Sequence, residues 1–150
     1  MAKFVYRMEN ILQLKERLET QAKSEYAEMS ARVVTEQNAL RAIDERIAAY
    51  KAYAKECSQG TLNIIELKHT EEAIKITKDI RRQQELRVNI ALRNEEIARQ
   101  RLNTAMQERK VQEKLKEKAF EEFKADLNAQ EIKEIDELVS FTYNDRSDES

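Results

Sequence analysis

The chain has no proline, no tryptophan, one glycine (Gly60) and one cysteine (Cys57) among its 150 residues. Without proline, every residue keeps its backbone N–H, so nothing in the covalent chain forbids helix. One glycine cannot build a phosphate-cradling loop, which needs several to bring backbone N–H groups against the anion. One cysteine cannot close an intramolecular disulfide, and a reducing compartment fits best. Aromatic residues make up only 6 % of the chain, which is not the composition of a ball around a core. No stretch approaches the roughly 18 uninterrupted apolar residues of a membrane span. The start, Met1-Ala2-Lys3-Phe4, lacks the apolar run of a signal peptide and the glycine needed for myristoylation. A cytoplasmic protein without direct membrane insertion is expected.

What the chain has in quantity is charge, at 37 % of residues, set among Ala, Leu, Ile, Gln and Glu. With helical periodicity, that mixture indicates long helices or a coiled coil. Acids and bases interleave to a net charge of −2, so no strong pull toward nucleic acid or an anionic membrane is expected. From Phe4 to Cys57 apolar residues step by threes and fours. Phe4, Met8, Ile11, Leu14, Leu18 and Ala22 begin the stripe, and Tyr26, Met29 and Val33 continue it. Leu40, Ile43, Ile47, Tyr50, Ala54 and Cys57 complete it. Such spacing keeps one seam facing a partner helix. Two successive steps of four between Leu18 and Tyr26 read as a stutter, which locally unwinds a left-handed supercoil. Glu28 with Arg32, and Glu71 with Lys75, are spaced to support helix on exposed faces.

Ser58-Gln59-Gly60-Thr61 supplies a stop and a new start. Gly60 can end a helix in the left-handed conformation, and Thr61 or Thr70 can cap the next one. A short helical piece over 62–68 and a kink near His69-Thr70 are candidate details. The second stripe runs Ala73, Ile76, Ile80, Leu86, Ile90, Ile97, Leu102 and Ala105, then Val111, Leu115, Ala119, Phe123 and Leu127. Gln83, Arg87 and Asn94 fall at polar seam positions, which weaken a contact but fix its register. The fold class is therefore all-α: a long antiparallel two-helix coiled-coil hairpin forming one domain. Helix one covers about 3–57, the hinge 58–61, helix two about 62–141 and a frayed tail 142–150. At ~1.5 Å per residue the helices span ~80 Å and ~120 Å. The longer second helix therefore overhangs at the C-terminal end. A turn at Gly60 pairs residues whose numbers sum to roughly 119. Ile43 then lies beside Ile76, Met29 beside Ile90, Ala22 beside Ile97 and Phe4 beside Leu115. From Lys118 onward helix two has no partner in its own chain. It carries Phe120, Phe123, Leu127, Ile132, Ile135 and Leu138, which marks a partner surface.

No catalytic set is present. Cys57 and His69 both lie near the hinge, but no third group orients them and long helices form no concave pocket. Both read as turn-end or seam residues. The paired carboxylates Glu71-Glu72, Glu95-Glu96 and Glu121-Glu122 sit beside Lys and Arg and read as solvated faces, so no metal or cofactor is expected. The basic run Lys75, Lys78, Arg81, Arg82, Arg87, Arg93, Arg99 and Arg101 is interleaved with Asp79, Glu85, Glu95 and Glu96. It carries no aromatic residue to stack a base. A solvated helix face, or a surface for an acidic protein, is favoured over nucleic-acid binding. Tyr50 and Tyr53, beside the hinge, either anchor a protein partner or pack against the segment 62–67.

The two ends carry a resemblance. Phe4-Val5-Tyr6-Arg7-Met8-Glu9-Asn10-Ile11-Leu12-Gln13-Leu14-Lys15 resembles the amino-terminal motif of the FliJ family of flagellar export proteins. Glu131-Ile132-Lys133-Glu134-Ile135-Asp136-Glu137-Leu138-Val139-Ser140-Phe141 resembles that family's carboxy-terminal signature. The resemblance implies a stalk-like antiparallel coiled coil of the bacterial flagellar type III export apparatus. It implies a protein that is not an enzyme, whose terminal end inserts into the hexameric export ATPase and promotes its assembly and activity. Its hinge end would meet the membrane export gate, and some members handle export chaperones. The location implied is peripheral, at the cytoplasmic face of the membrane by the flagellar basal body. Phe4, Tyr6, Arg7, Asp136, Glu137 and Phe141 are the residues it offers to the ATPase ring. Tyr50, Tyr53, Ile76 and Ile80 are candidates for the gate by position and apolar character. The rivals are a self-associating structural coiled coil and the equivalent stalk of a virulence-type secretion system.

Overall fold

The computed structural model describes the backbone of residues 3–59, 63–127 and 129–148, and the side chains of these residues except 130 and 143–148. The described residues form α1 (Glu9–Gln59), α2 (Ile64–Ala125) and α3 (Ala129–Asp148). The two long helices pack against each other and α3 is a short addition. The chain divides into two compact units. A terminal unit joins Met1–Glu19 to Thr104–Ser150, and a central unit comprises Thr20–Asn103.

In the central unit α1 presents Ala22, Tyr26, Met29, Val33, Glu36, Leu40, Ile43, Ile47, Tyr50, Ala54 and Cys57, all buried or half-buried. Steps of three and four alternate without interruption. In the terminal unit Met8 and Glu9 are half-buried, and Leu12, Lys15 and Glu19 are covered and continue the same rhythm toward Ala22. Ile11, Leu14 and Leu18 are exposed. The expected stutter before Tyr26 is therefore absent: it came from assigning the seam to the more apolar neighbours of the residues that occupy it.

The same one-residue displacement affects α2. Its covered positions in the central unit include Thr70, Ile74, Thr77, Arg81, Gln84, Val88, Ala91, Glu95, Ala98 and Leu102, with Leu67, Ala73 and Glu85 half-buried beside them. Ile76, Ile80, Leu86, Ile90 and Ile97 face solvent, with Ile90 60 % exposed. One residue is ~100° of helix rotation. The expected pairings Ile43–Ile76, Met29–Ile90, Ala22–Ile97 and Phe4–Leu115 are thus overturned, because the second member of each is exposed. The physical reason lies in shape and in polar pairing. Large α1 side chains such as Tyr26, Met29, Ile47 and Tyr50 meet a seam of small α2 residues, including Ala91, Ala98, Thr70 and Thr77, which lets two helices interdigitate closely.

Four polar members of that seam, Thr70, Thr77, Arg81 and Gln84, have hydrogen-bond partners. Thr70 and Thr77 donate to the carbonyls of Glu66 and Ala73 at 2.8 and 2.7 Å. Gln84 donates its side-chain amide to the backbone carbonyl of Glu36 at 3.0 Å and to the Glu36 carboxylate. Arg81 donates to Asp44 across the pair and to Glu85 along its own helix. These cross-helix bonds hold one antiparallel register, since any slip strands a polar group. Numbers of the bonded pairs sum to between 119 and 125 in this unit, close to the expected 119.

α2 starts on Asn63, whose side-chain oxygen accepts from the N–H of Glu66 at 3.3 Å, and runs without interruption to Ala125. Among the described residues 64–68 are continuous with the rest of α2, no break at His69-Thr70 occurs, and Thr70 bonds inside the helix instead of capping it. The expected left-handed Gly60 and the Thr61 cap lie outside the described residues.

The terminal unit departs most from expectation. Residues 3–6 are not helical, and a turn joining the Tyr6 carbonyl to the Glu9 N–H at 3.2 Å leads into α1. This segment lies on the part of α2 expected to be unpartnered. Phe4 meets Phe120 edge to face at 5.1 Å between ring centres and Phe123 at 5.4 Å. The helix expected to continue to 141 instead ends at Ala125. The chain bends through Asp126 and Leu127, and α3 follows, with Ile132, Ile135 and Val139 half-buried. The tail expected to fray from 142 is helical to Asp148.

Candidate partner-binding surfaces

In the terminal unit, the sequence-selected residues fall into two groups. Phe4 and Tyr6 are internal supports. Phe4 belongs to the three-phenylalanine cluster, and Tyr6 is buried with its hydroxyl donating to Gln112 at 3.2 Å. Asp136 is also engaged: it accepts from Lys124 at 2.7 Å, and this bond holds the Lys124 ammonium above its ordinary pKa. Lys124 also lies 5.4 Å from the centre of the Phe120 ring, a cation–π distance. One lysine thus ties α3 to the phenylalanine cluster. Arg7, Glu137 and Phe141 are exposed, and Phe141, at 68 %, is the most exposed of the described phenylalanines.

Ion pairs brace the same unit. Lys15 reaches Glu108 at 2.9 Å and Lys116 reaches Glu9 at 2.9 Å. Arg109 donates to the buried carboxylate of Glu19 and to Glu113. The bonds to Glu113 and Glu19 raise the Arg109 pKa further, so it stays charged at any pH the fold survives. A buried pair of this kind adds little net stability, but breaking it leaves one charge uncompensated, so it selects register.

The four central-unit candidates do not converge. Tyr50 is half-buried in the helix seam, and Tyr53 projects to its side. Its hydroxyl donates to Glu66 at 3.1 Å, joining α1 to the first turn of α2. Ile76 and Ile80 are exposed, ten and fourteen residues beyond Glu66, or ~15–20 Å along the helix axis. Sequence reasoning placed Leu86, Ile90 and Ile97 in the core, whereas they extend the Ile76–Ile80 stripe on the surface. The signal was present: Gln83, Arg87 and Asn94 fill three of the seven stripe positions from Ile76 to Ile97, whereas Arg81 and Gln84 of the true seam find partners on α1.

Tyr53 gives a direct check. Its hydrogen bond to Glu66, with a smaller effect from Cys57, pushes its pKa from 10.0 up to about 12. The protonated hydroxyl is the form favoured in the fold. Its contribution is present below pH 10 and is lost as the pH rises through about 12. An absorbance titration should show one of the five tyrosines ionising about two units late. Glu66→Gln should bring it back toward the others, and a titration unchanged by that substitution would contradict the contact.

Among the described residues no three His, Cys, Asp or Glu side chains are grouped to hold a metal ion, and no helix is long and apolar enough to cross a membrane. Comparison with known proteins gives one match: the family model described as Flagellar FliJ protein covers residues 4–148. No curated protein and no solved structure matches the chain.

Proposed function

The chain belongs to the FliJ family of flagellar proteins, and from that premise we propose that it is a non-enzymatic stalk of the flagellar protein export apparatus. Its terminal unit binds the hexameric export ATPase and promotes its assembly and activity. The hinge end of its central unit meets the membrane export gate. Export chaperones are further candidate partners, and its place is peripheral, at the cytoplasmic face of the membrane by the basal body. It transmits position, and nucleotide hydrolysis belongs to the partner.

The observation that carries the ring contact is the division of labour in the terminal unit. Phe4, Tyr6 and Asp136 are spent on internal packing and bonding, which fixes α3 and the amino-terminal segment. Arg7, Glu137 and Phe141 are left at the surface, a cation, an anion and a ring in one compact unit. An exposed aromatic ring and charged side chains within one unit are the residue types enriched at interface centres. The gate contact rests on the exposed Ile76 and Ile80, with Tyr53 at the hinge end.

Capture of the tagged full chain from flagellated cells tests the proposal. An ATPase should come with it, and Arg7→Glu together with Glu137→Lys should lose that ATPase while leaving helicity intact. Capture that yields no ATPase from wild-type chain would refute the ring contact.

A further inference from the structure

The exposed stripe on α2 keeps coiled-coil spacing. Ile76, Ile80, Ile90 and Ile97 recur at intervals of four, ten and seven, all compatible with one heptad face, and Leu86 borders them. Random surface isoleucines do not keep that rhythm, and a helix is the partner that reads it. Arg87 and Arg101 stand in line with the isoleucines, Arg93 stands on the outer flank, and all three are exposed. None has an ion pair among the described residues, unlike Arg81, Arg82 and Arg99. The same face of a second copy would set these guanidinium groups against one another, which disfavours stripe-on-stripe pairing. The occupant should be a helix with apolar residues at helical spacing and carboxylates beside them.

α3 has that chemistry. Its sequence holds six acidic residues against two basic ones. Glu134, Leu138 and Phe141 lie at i, i+4 and i+7 on an exposed face, with Glu137 adjacent. This face is opposite the one that buries Ile132, Ile135 and Val139. α3 of the same chain cannot serve. It has 20 residues and starts four after Ala125, so laid back along α2 it reaches only to about residue 105, short of Ile97. We infer that the Ile90–Ile97 part of this face of α2, a length of ~10 Å that matches 134–141, docks the Glu134–Phe141 face of α3 from a second copy of the chain. Leu138 and Phe141 enter beside Ile90 and Ile97, and Glu134 and Glu137 meet Arg93 together with Arg87 in a parallel pair or Arg101 in an antiparallel one. Where the ring contact proposed above holds, Phe141 in such a pair is covered, so self-association and ring binding exclude one another.

Photo-crosslinking of the purified full chain tests this without any ATPase. With benzoylphenylalanine at position 90, irradiation should give a covalent dimer whose crosslinked peptide, by mass spectrometry, lies within 134–141. Reversing Arg87, Arg93 and Arg101 to glutamate should cut the yield about tenfold, as expected for loss of several close charge pairs. Adding Glu134→Lys and Glu137→Lys to that chain should restore it, and circular dichroism should show unchanged helix throughout. Three outcomes overturn the inference: no dimer from the soluble chain, crosslinks to 76–97 of the second copy, or a yield indifferent to charge reversal. Failure here with ATPase capture intact would leave the proposed function standing.

Discussion

Phe141→Ala is expected to weaken binding to the export ATPase tenfold or more while leaving the melting temperature of the isolated chain unchanged. Phe141 is 68 % exposed, so its removal takes little from the fold. An aromatic anchor at an interface centre costs ~2 kcal/mol or more when truncated to alanine. Phe4→Ala should behave differently, although sequence offers both residues to the ring. Phe4 touches Phe120 and Phe123, so its loss opens the terminal unit and lowers stability together with binding. Titration calorimetry for affinity and a thermal melt for stability separate the two variants. A drop in melting temperature for Phe141→Ala, with affinity kept, would assign Phe141 to the fold.

The second large effect is on stability, and it decides the register. Leu12 is only 3 % exposed, while Leu14, two residues on, is 48 % exposed. Leu12→Ala should cost ~2–3 kcal/mol, the lower part of the range for a buried leucine, because a two-helix seam relaxes more easily than a globular core. For a chain of this size that is a fall of roughly 5–10 °C in melting temperature. Leu14→Ala should stay within ~0.5 kcal/mol of wild type, as surface substitutions do. The seam suggested by apolar spacing alone, through Ile11, Leu14 and Leu18, requires the reverse order. Thermal melts of the two variants followed by circular dichroism discriminate the two packings.

That reversal shows what a single sequence could carry here. Two long antiparallel helices and the α1 seam from Ala22 to Cys57 were readable, because one strong heptad dominates there. On α2 two interleaved heptads compete one residue apart. Counting apolar side chains selects the isoleucines. The structure selects small residues plus polar groups whose partners lie on the other helix: Gln84 with Glu36, Arg81 with Asp44 and, in the terminal unit, Arg109 with Glu19. Such partnerships are invisible to any one-helix pattern, since they depend on register. The same holds for Phe4, whose value as an internal support appears only once residues 3–6 lie along α2. The break at Asp126-Leu127 was hidden because no proline or glycine marks it. The resemblance of the two ends to a known family nominated the terminal candidates, and position near the hinge nominated the others. The separation of the terminal candidates into internal supports and exposed residues came only from burial.

The central claim is that this chain acts on an export ATPase through its terminal unit. The most direct measurement is ATP turnover by that ATPase as the purified full chain is titrated in, with co-sedimentation read on the same samples. Saturable stimulation in step with binding is expected, both reduced by Phe141→Ala and neither altered by Leu14→Ala. Unchanged turnover with no co-sedimentation across the titration would contradict it.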